Sequence, residues 1–203
     1  MGYTHYWYRI KEIDKPRYRM IVDDFKKLLP TFNRVGLKLA GWNGEGEPRI
    51  DYDEVRFNGL RNCGHRRFSL GIAWPSDKAS GVSNESIVDG TWFVGALLRS
   101  RSCGGDCSYE TFAFPRIQDT GEWRSKHRYN GKTYYFNFCK TAFKPYDLAV
   151  ISFLIIAKNH LHDVIIVRSD GTLQNWMDGI LLCATHLGYE GKFGFDENPW
   201  IRT

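Results

Sequence analysis

The residues able to do chemistry gather at strand–helix junctions and in a few polar turns. The longest such run is Phe138-Cys139-Lys140-Thr141-Ala142-Phe143-Lys144-Pro145-Tyr146-Asp147, between an apolar alternating segment and a long apolar one. If the first is a strand and the second a helix, Lys140, Thr141 and Lys144 lie near a helix N-terminus. Free N–H groups and the helix dipole favour an anion there. Two cations at that end oppose the dipole unless a phosphate or carboxylate sits with them. Asp147 offers another resolution, capping the helix and pairing with a lysine. No glycine-rich phosphate loop accompanies the run, which argues against a Walker-type site.

A second junction is Arg168-Ser169-Asp170-Gly171, after a short apolar strand and before a helix. Ligands often sit at strand C-terminal ends. Asp170 there would bind a metal or accept a proton, or simply make the turn. The third is Thr4-His5-Tyr6-Trp7, where His5 is the best-placed acid–base group, or else a hydrogen-bonded packing residue. His160 and His162 fall at a helix end, and His65 and His127 in basic loops. Glu110 lies on an expected strand among aromatic residues. A carboxylate so placed works as an acid or base with a raised pKa, or pairs with Arg99 or Arg101. Asn58, in Phe57-Asn58-Gly59, would orient a ligand or make a turn. The catalytic candidates are therefore His5, Glu110 and Asp170, and the ligand-binding candidates Lys140, Thr141, Lys144, Asp147 and Asn58.

The five cysteines include Cys63-x-His65 and Cys103-x-x-x-Cys107, which together have the residue types of a zinc quartet. The first half lacks the usual Cys-x-x-Cys, so they read instead as small buried side chains beside a glycine-rich turn. No metal is assigned and no cofactor is named. An odd cysteine count and an N-terminus without a basic, apolar leader suggest reduced thiols in a cytosol.

The elements that must position these residues follow from periodicity. Alternation over residues 3–10 marks a strand. Asp14 caps a helix with Pro16 in its first turn. Tyr18, Ile21, Val22, Phe25, Leu28 and Leu29 recur at three- and four-residue spacing, and the helix is expected to end before Pro30. Strands are expected at 55–58, 68–74, 92–99, 109–116 and 133–138, with a loop or irregular hairpin over 41–53 and a loop over 76–90. Pro145 opens a buried helix reaching Leu161. A strand over 164–167 follows, then a helix capped by Thr172 and closed by Gly188. Strands joined by turns, flanked by about three helices, make one α+β domain over 1–203 with a mainly antiparallel sheet.

The chain has 203 residues, a net charge of +5 and 31 aromatic residues, or 15%. Its longest apolar run is too short to span a bilayer, so no membrane role is expected. Basic loops at Arg61, Arg66, Arg67 and at Arg124, Lys126, Arg128 carry aromatic neighbours. They would meet phosphates or simply be solvated.

The motifs Gly2-Tyr3-Thr4-His5-Tyr6-Trp7, Phe57-Asn58-Gly59, Glu110-Thr111-Phe112, Phe138-Cys139-Lys140-Thr141, Lys144-Pro145-Tyr146-Asp147 and Ser169-Asp170-Gly171, in that order, resemble a family of small bacteriophage and prophage proteins that has no assigned activity. The resemblance implies action in a bacterial host cytoplasm, where small phage proteins often counter host defence. Two functions follow as expectations. One is an accessory protein that binds, and if catalytic cleaves, a nucleotide or other phosphorylated small molecule. The other is a non-catalytic inhibitor that blocks a host defence protein or a nucleoprotein complex through a basic, aromatic surface. Direct nucleic-acid binding is a variant of the second.

Overall fold

The computed structural model describes residues 3–34, 36–63, 101, 105–121 and 125–196. The architecture is α+β. Strand β1 (Thr4–Arg9) leads into helix α1 (Lys15–Arg34). After an intervening segment, the hairpin of β6 (Lys126–Tyr129) and β7 (Lys132–Lys140) is followed by α2 (Asp147–Leu161), β8 (Ile165–Ser169) and α3 (Leu173–Leu187). These strands form one sheet in the order β6-β7-β1-β8, antiparallel throughout. Strand β7 thus lies between β1 and the strand parallel to it, β6. Strand β1 likewise lies between β7 and β8. The result is two interleaved split β-α-β units, the ferredoxin-like order.

The pleat sorts the central strand. His5, Trp7 and Arg9 are buried on the helix side, while Tyr6 and Tyr8 are half-buried on the other face. Helix α2 is apolar all round and buried from Asp147 through Ala157, which fits its place between α1 and α3.

The segment between α1 and β6 supplies a second sheet. Its central strand is β4 (Glu54–Gly59). Strand β5 (Phe112–Pro115) pairs along one edge; β2 (Leu39–Ala40) and β3 (Arg49–Ile50) pair in succession along the other. The two sheets share one core. Phe112 and Phe114 each pack edge-on to Phe153 of α2, and Trp7 packs on Phe112. The buried Arg9 guanidinium lies 4.7 Å from the Phe114 ring centroid and donates to the Pro115 carbonyl, tying β1 to β5.

Three expectations are corrected. Helix α1 runs through Pro30 to Arg34. Proline removes one helical hydrogen bond, but Phe32 continues the buried stripe of Phe25 and Leu28, and packing prevails. The basic stretch at 126–128 is strand β6, with His127 against Tyr8, where a loop was expected. Residues 109–111 precede β5 and do not extend it. Elsewhere the local chemistry acts as read. Asp14 accepts from the Arg17 N–H at 3.0 Å, and Gly188 closes α3 in the left-handed region at φ 72°. The strands expected at 68–74 and 92–99, with His65, Arg66, Arg67, Arg99, Cys103 and Arg124, lie outside the described residues.

Candidate functional site

The N-terminal end of β1 meets the C-terminal ends of β7 and β8 and the start of α2, and there the singled-out residues converge. His5 faces the helices and is fully buried. Its Nε2 lies 2.7 Å from Asp147 Oδ1, and its Nδ1 3.1 Å from Ser169 Oγ. Thr141 donates to the same Asp147 oxygen at 2.6 Å, and Arg101 Nε donates to the other at 3.0 Å. Arg101 also donates to Asp178 of α3 at 2.8 Å. All five side chains other than Ser169 are buried. Burial alone would push the Asp147 carboxyl up. The His5 ring, the Arg101 guanidinium and the Thr141 hydroxyl outweigh it and hold the carboxyl at about 2. Asp147 is therefore an ionised acceptor, and His5 Nε2 must carry the proton between them.

Aromatic rings wall the network. Tyr3 and Trp176 meet the His5 ring edge-on at 4.8 and 5.0 Å. Phe143 stacks on Tyr3 at 3.6 Å. Phe143 and Ala142 both hold positive φ, 54° and 49°. A bulky residue in that region marks local strain. The turn is held by the Thr141 and Ala142 N–H groups, both donating to the Tyr3 carbonyl.

The other candidates lie around this cluster in structural roles. Asp170 is exposed and accepts from the Thr4 N–H at 3.1 Å and the Tyr6 hydroxyl at 2.8 Å. Glu110 accepts from the Lys140 N–H at 2.7 Å and pairs with no arginine among the described residues. Lys144 donates to the Asp106 carbonyl at 2.7 Å. Asp147 pairs with His5 and Arg101, not with a lysine. Asn58 uses its whole amide: Nδ2 donates to the Tyr109 carbonyl and to Thr111, and Oδ1 accepts from the Gly59 and Tyr109 N–H groups. The six motifs thus interlock, but the structure does not gather Lys140, Thr141 and Lys144 as three converging donors. Among the described residues no group of His, Cys, Asp or Glu is arranged to hold a metal ion.

The opposite face of the first sheet carries a second feature. Tyr6 opposes Phe138, and Tyr8 opposes Phe136, across β1 and β7. The rings form a continuous row: Phe136 lies 6.1 Å from Tyr6, 5.1 Å from Tyr8 and 5.8 Å from Phe138. Phe138 is 53% exposed. Phe136 borders two cavities of about 320 and 380 Å³, the larger lined also by Trp7, Thr111, Ala113, Ser125, Asn137 and Phe138. The smaller is lined by Tyr6, Tyr8, Phe136, Arg168, Ser169 and Asp170. Arg168 stands opposite Tyr6 on β8 and has no ion pair among the described residues.

Sequence reasoning placed Thr141 and Asp147 in one candidate site and His5 in another, and missed Asp178 and Ser169 as their partners. A visible signal was Asp178 flanked by Met177 and Gly179 within the apolar stripe of α3. A second was the alternation of Tyr6, Tyr8 and of Phe136, Phe138, which puts aromatic residues on the face the helices do not cover. No family model, curated protein or solved structure matches the chain.

Proposed function

We propose that the protein binds single-stranded nucleic acid, or a nucleotide as its smallest unit, on the helix-free face of the first sheet. The observation that carries this reading is the row of Tyr6, Tyr8, Phe136 and Phe138 on the two central strands, with Arg168 beside it and a cavity lined by Tyr6, Tyr8, Phe136 and Arg168. Aromatic side chains on the central strands of a four-stranded antiparallel sheet are how RRM domains stack two or three bases. Every base has a π-face, so such a platform tolerates sequence, and Arg168, with no ion pair among the described residues, meets the phosphate or stacks in turn. The chain's net charge of +5 and the exposed Lys126 and Arg128 on the edge strand β6 favour a polyanion. The phage resemblance would place that ligand in a bacterial host, where capture of a host nucleic acid or nucleotide signal would serve counter-defence. The phosphate end of the ligand lies near Arg168 in this reading, and Lys140 and Lys144 border the site without forming it.

Fluorescence anisotropy with fluorescein-labelled octamers of rU and dT tests this. Each base stack is worth about 1–3 kcal/mol. Tyr6→Ala and Phe138→Ala should each weaken binding by roughly 5- to 150-fold. Arg168→Ala should weaken binding uniformly and lower the salt slope by about one. Binding that survives the double variant Tyr6→Ala/Phe138→Ala unchanged would overturn the assignment.

A further inference from the structure

We infer that Asp170 makes the sheet-face site selective for ribonucleotides, its carboxylate accepting a hydrogen bond from the 2′-hydroxyl of the sugar whose base stacks on Tyr6. The inference rests on the platform reading and names the class of nucleic acid that the platform takes.

Alternation puts Asp170 on the platform's face. Arg168 stands opposite Tyr6, and Ser169 opposite His5 on the helix side. The Asp170 N–H donates to the Thr4 carbonyl at 3.0 Å, so the pairing with β1 reaches one residue past Ser169 and turns the next side chain back to the open face. The contacts agree. Asp170 Oδ1 accepts from the Tyr6 hydroxyl at 2.8 Å, at the edge of the first ring in the row. The same carboxylate lines the cavity of about 320 Å³ together with Tyr6, Tyr8, Phe136 and Arg168.

A carboxylate beside a polyanion repels phosphate, so its place in this cavity calls for a donor on the ligand. Asp170 and Arg168 share the cavity, yet among the described residues they form no ion pair with each other, and each charge is open to a ligand. An ionised carboxylate accepts at about four lone-pair positions. The Thr4 N–H takes one at 3.1 Å and the Tyr6 hydroxyl another. Those two bonds orient the group and leave further acceptor positions. In a nucleotide the sugar joins base to phosphate. With the base on the Tyr6 ring and the phosphate at Arg168, the sugar falls between them, beside the ring edge where Asp170 sits. The donor that a ribose brings there is its 2′-hydroxyl, the group by which a protein tells RNA from DNA. An acidic side chain on a ribose 2′-hydroxyl is the device that dinucleotide sites also use.

Fluorescence anisotropy of the full chain at one fixed salt concentration, with labelled octamers of rU, dU and 2′-O-methyl-U, tests this. The quantity read is the ratio of dissociation constants, dU over rU. A hydrogen bond to a charged acceptor predicts a ratio of roughly 10 to 100 in the wild type. The 2′-O-methyl octamer keeps the ribose pucker but has no hydroxyl proton, and should bind no better than dU. In Asp170→Ala the ratio should fall to near one. The lost negative charge strengthens the hold on phosphate in all three octamers and cancels in the ratio, and binding of dU by the variant shows that it is folded. A wild-type ratio within about twofold of one overturns the inference. So does 2′-O-methyl-U bound as tightly as rU, or a ratio unchanged in Asp170→Ala. If rU and dU still bind and Tyr6→Ala/Phe138→Ala weakens both, the platform reading stands without ribose selectivity. No binding of any octamer overturns both.

Discussion

Replacing Asp147 with asparagine removes the one negative charge that His5, Thr141 and Arg101 share. The side chain keeps its shape but has two acceptor lone pairs and two donor hydrogens in place of four acceptor sites. Three donors converge on it, so at least one now faces another donor. Arg101, 1% exposed, keeps Asp178 as its counter-ion among the described residues. Removing one partner of a buried pair costs about 3–5 kcal/mol, because the remaining charge stays desolvated. Whole domains are stable by about 5–15 kcal/mol, so this is a large share. For a chain of this length it corresponds to a Tm drop of roughly 6–20 °C. Urea unfolding followed by tryptophan fluorescence reads the loss as a lower midpoint at unchanged slope. Trp176 packs 5.0 Å from His5 and reports on the network directly. Asp170→Asn, at an exposed carboxylate a few residues away in space, is the control and should lose far less. A loss below about 1 kcal/mol in Asp147→Asn would refute the reasoning that this network holds the ends of β1, β8 and α2 together.

The same carboxyl makes stability depend on acid. Its folded value of about 2 lies below its ordinary 3.8, so its stabilisation is full above about pH 4 and is lost as pH falls towards 2. The difference is worth about 2 kcal/mol; unfolding midpoints measured across that window should fall in the wild type and stay flatter in Asp147→Asn. Gly59→Ala should also be costly. An added Cβ would sit 2.0 Å from the Cys107 carbonyl oxygen, which is backbone and cannot swing aside. A loss of about 1–3 kcal/mol is expected in denaturant melts, and an unchanged midpoint would show that the two segments can part without cost.

Much of the fold was legible because its signals are local. The stripe from Tyr18 to Leu29, the Asp14 and Gly188 caps and the alternation in β1 and β7 each declare one element. Pro30 misled because its cost is local and its compensation, the burial of Phe32 against Phe25 at 6.0 Å, is tertiary. Strand β6 is short and polar, and only its pairing with β7 makes it a strand. The candidate site was legible as a set of residues and not as an arrangement. His5, Asp147 and Ser169 are 142 and 164 positions apart in their two contacts, a separation no spacing rule spans. Lys140 and Lys144 looked like an anion site because sequence shows their charge. It does not show that Lys144 reaches a carbonyl of a distant loop.

Chemical-shift mapping during an oligonucleotide titration tests the central claim most directly. With Tyr and Phe rings and Arg side chains isotopically labelled, an octamer of rU is added to the full chain at low salt. Saturable shifts confined to Tyr6, Tyr8, Phe136, Phe138 and Arg168 are the expected result, with the signals of Phe143 and Tyr146 unmoved. Shifts centred on Phe143 and Tyr146 would return the site to the 140–147 junction. No shifts at millimolar oligonucleotide would contradict nucleic-acid binding on the sheet.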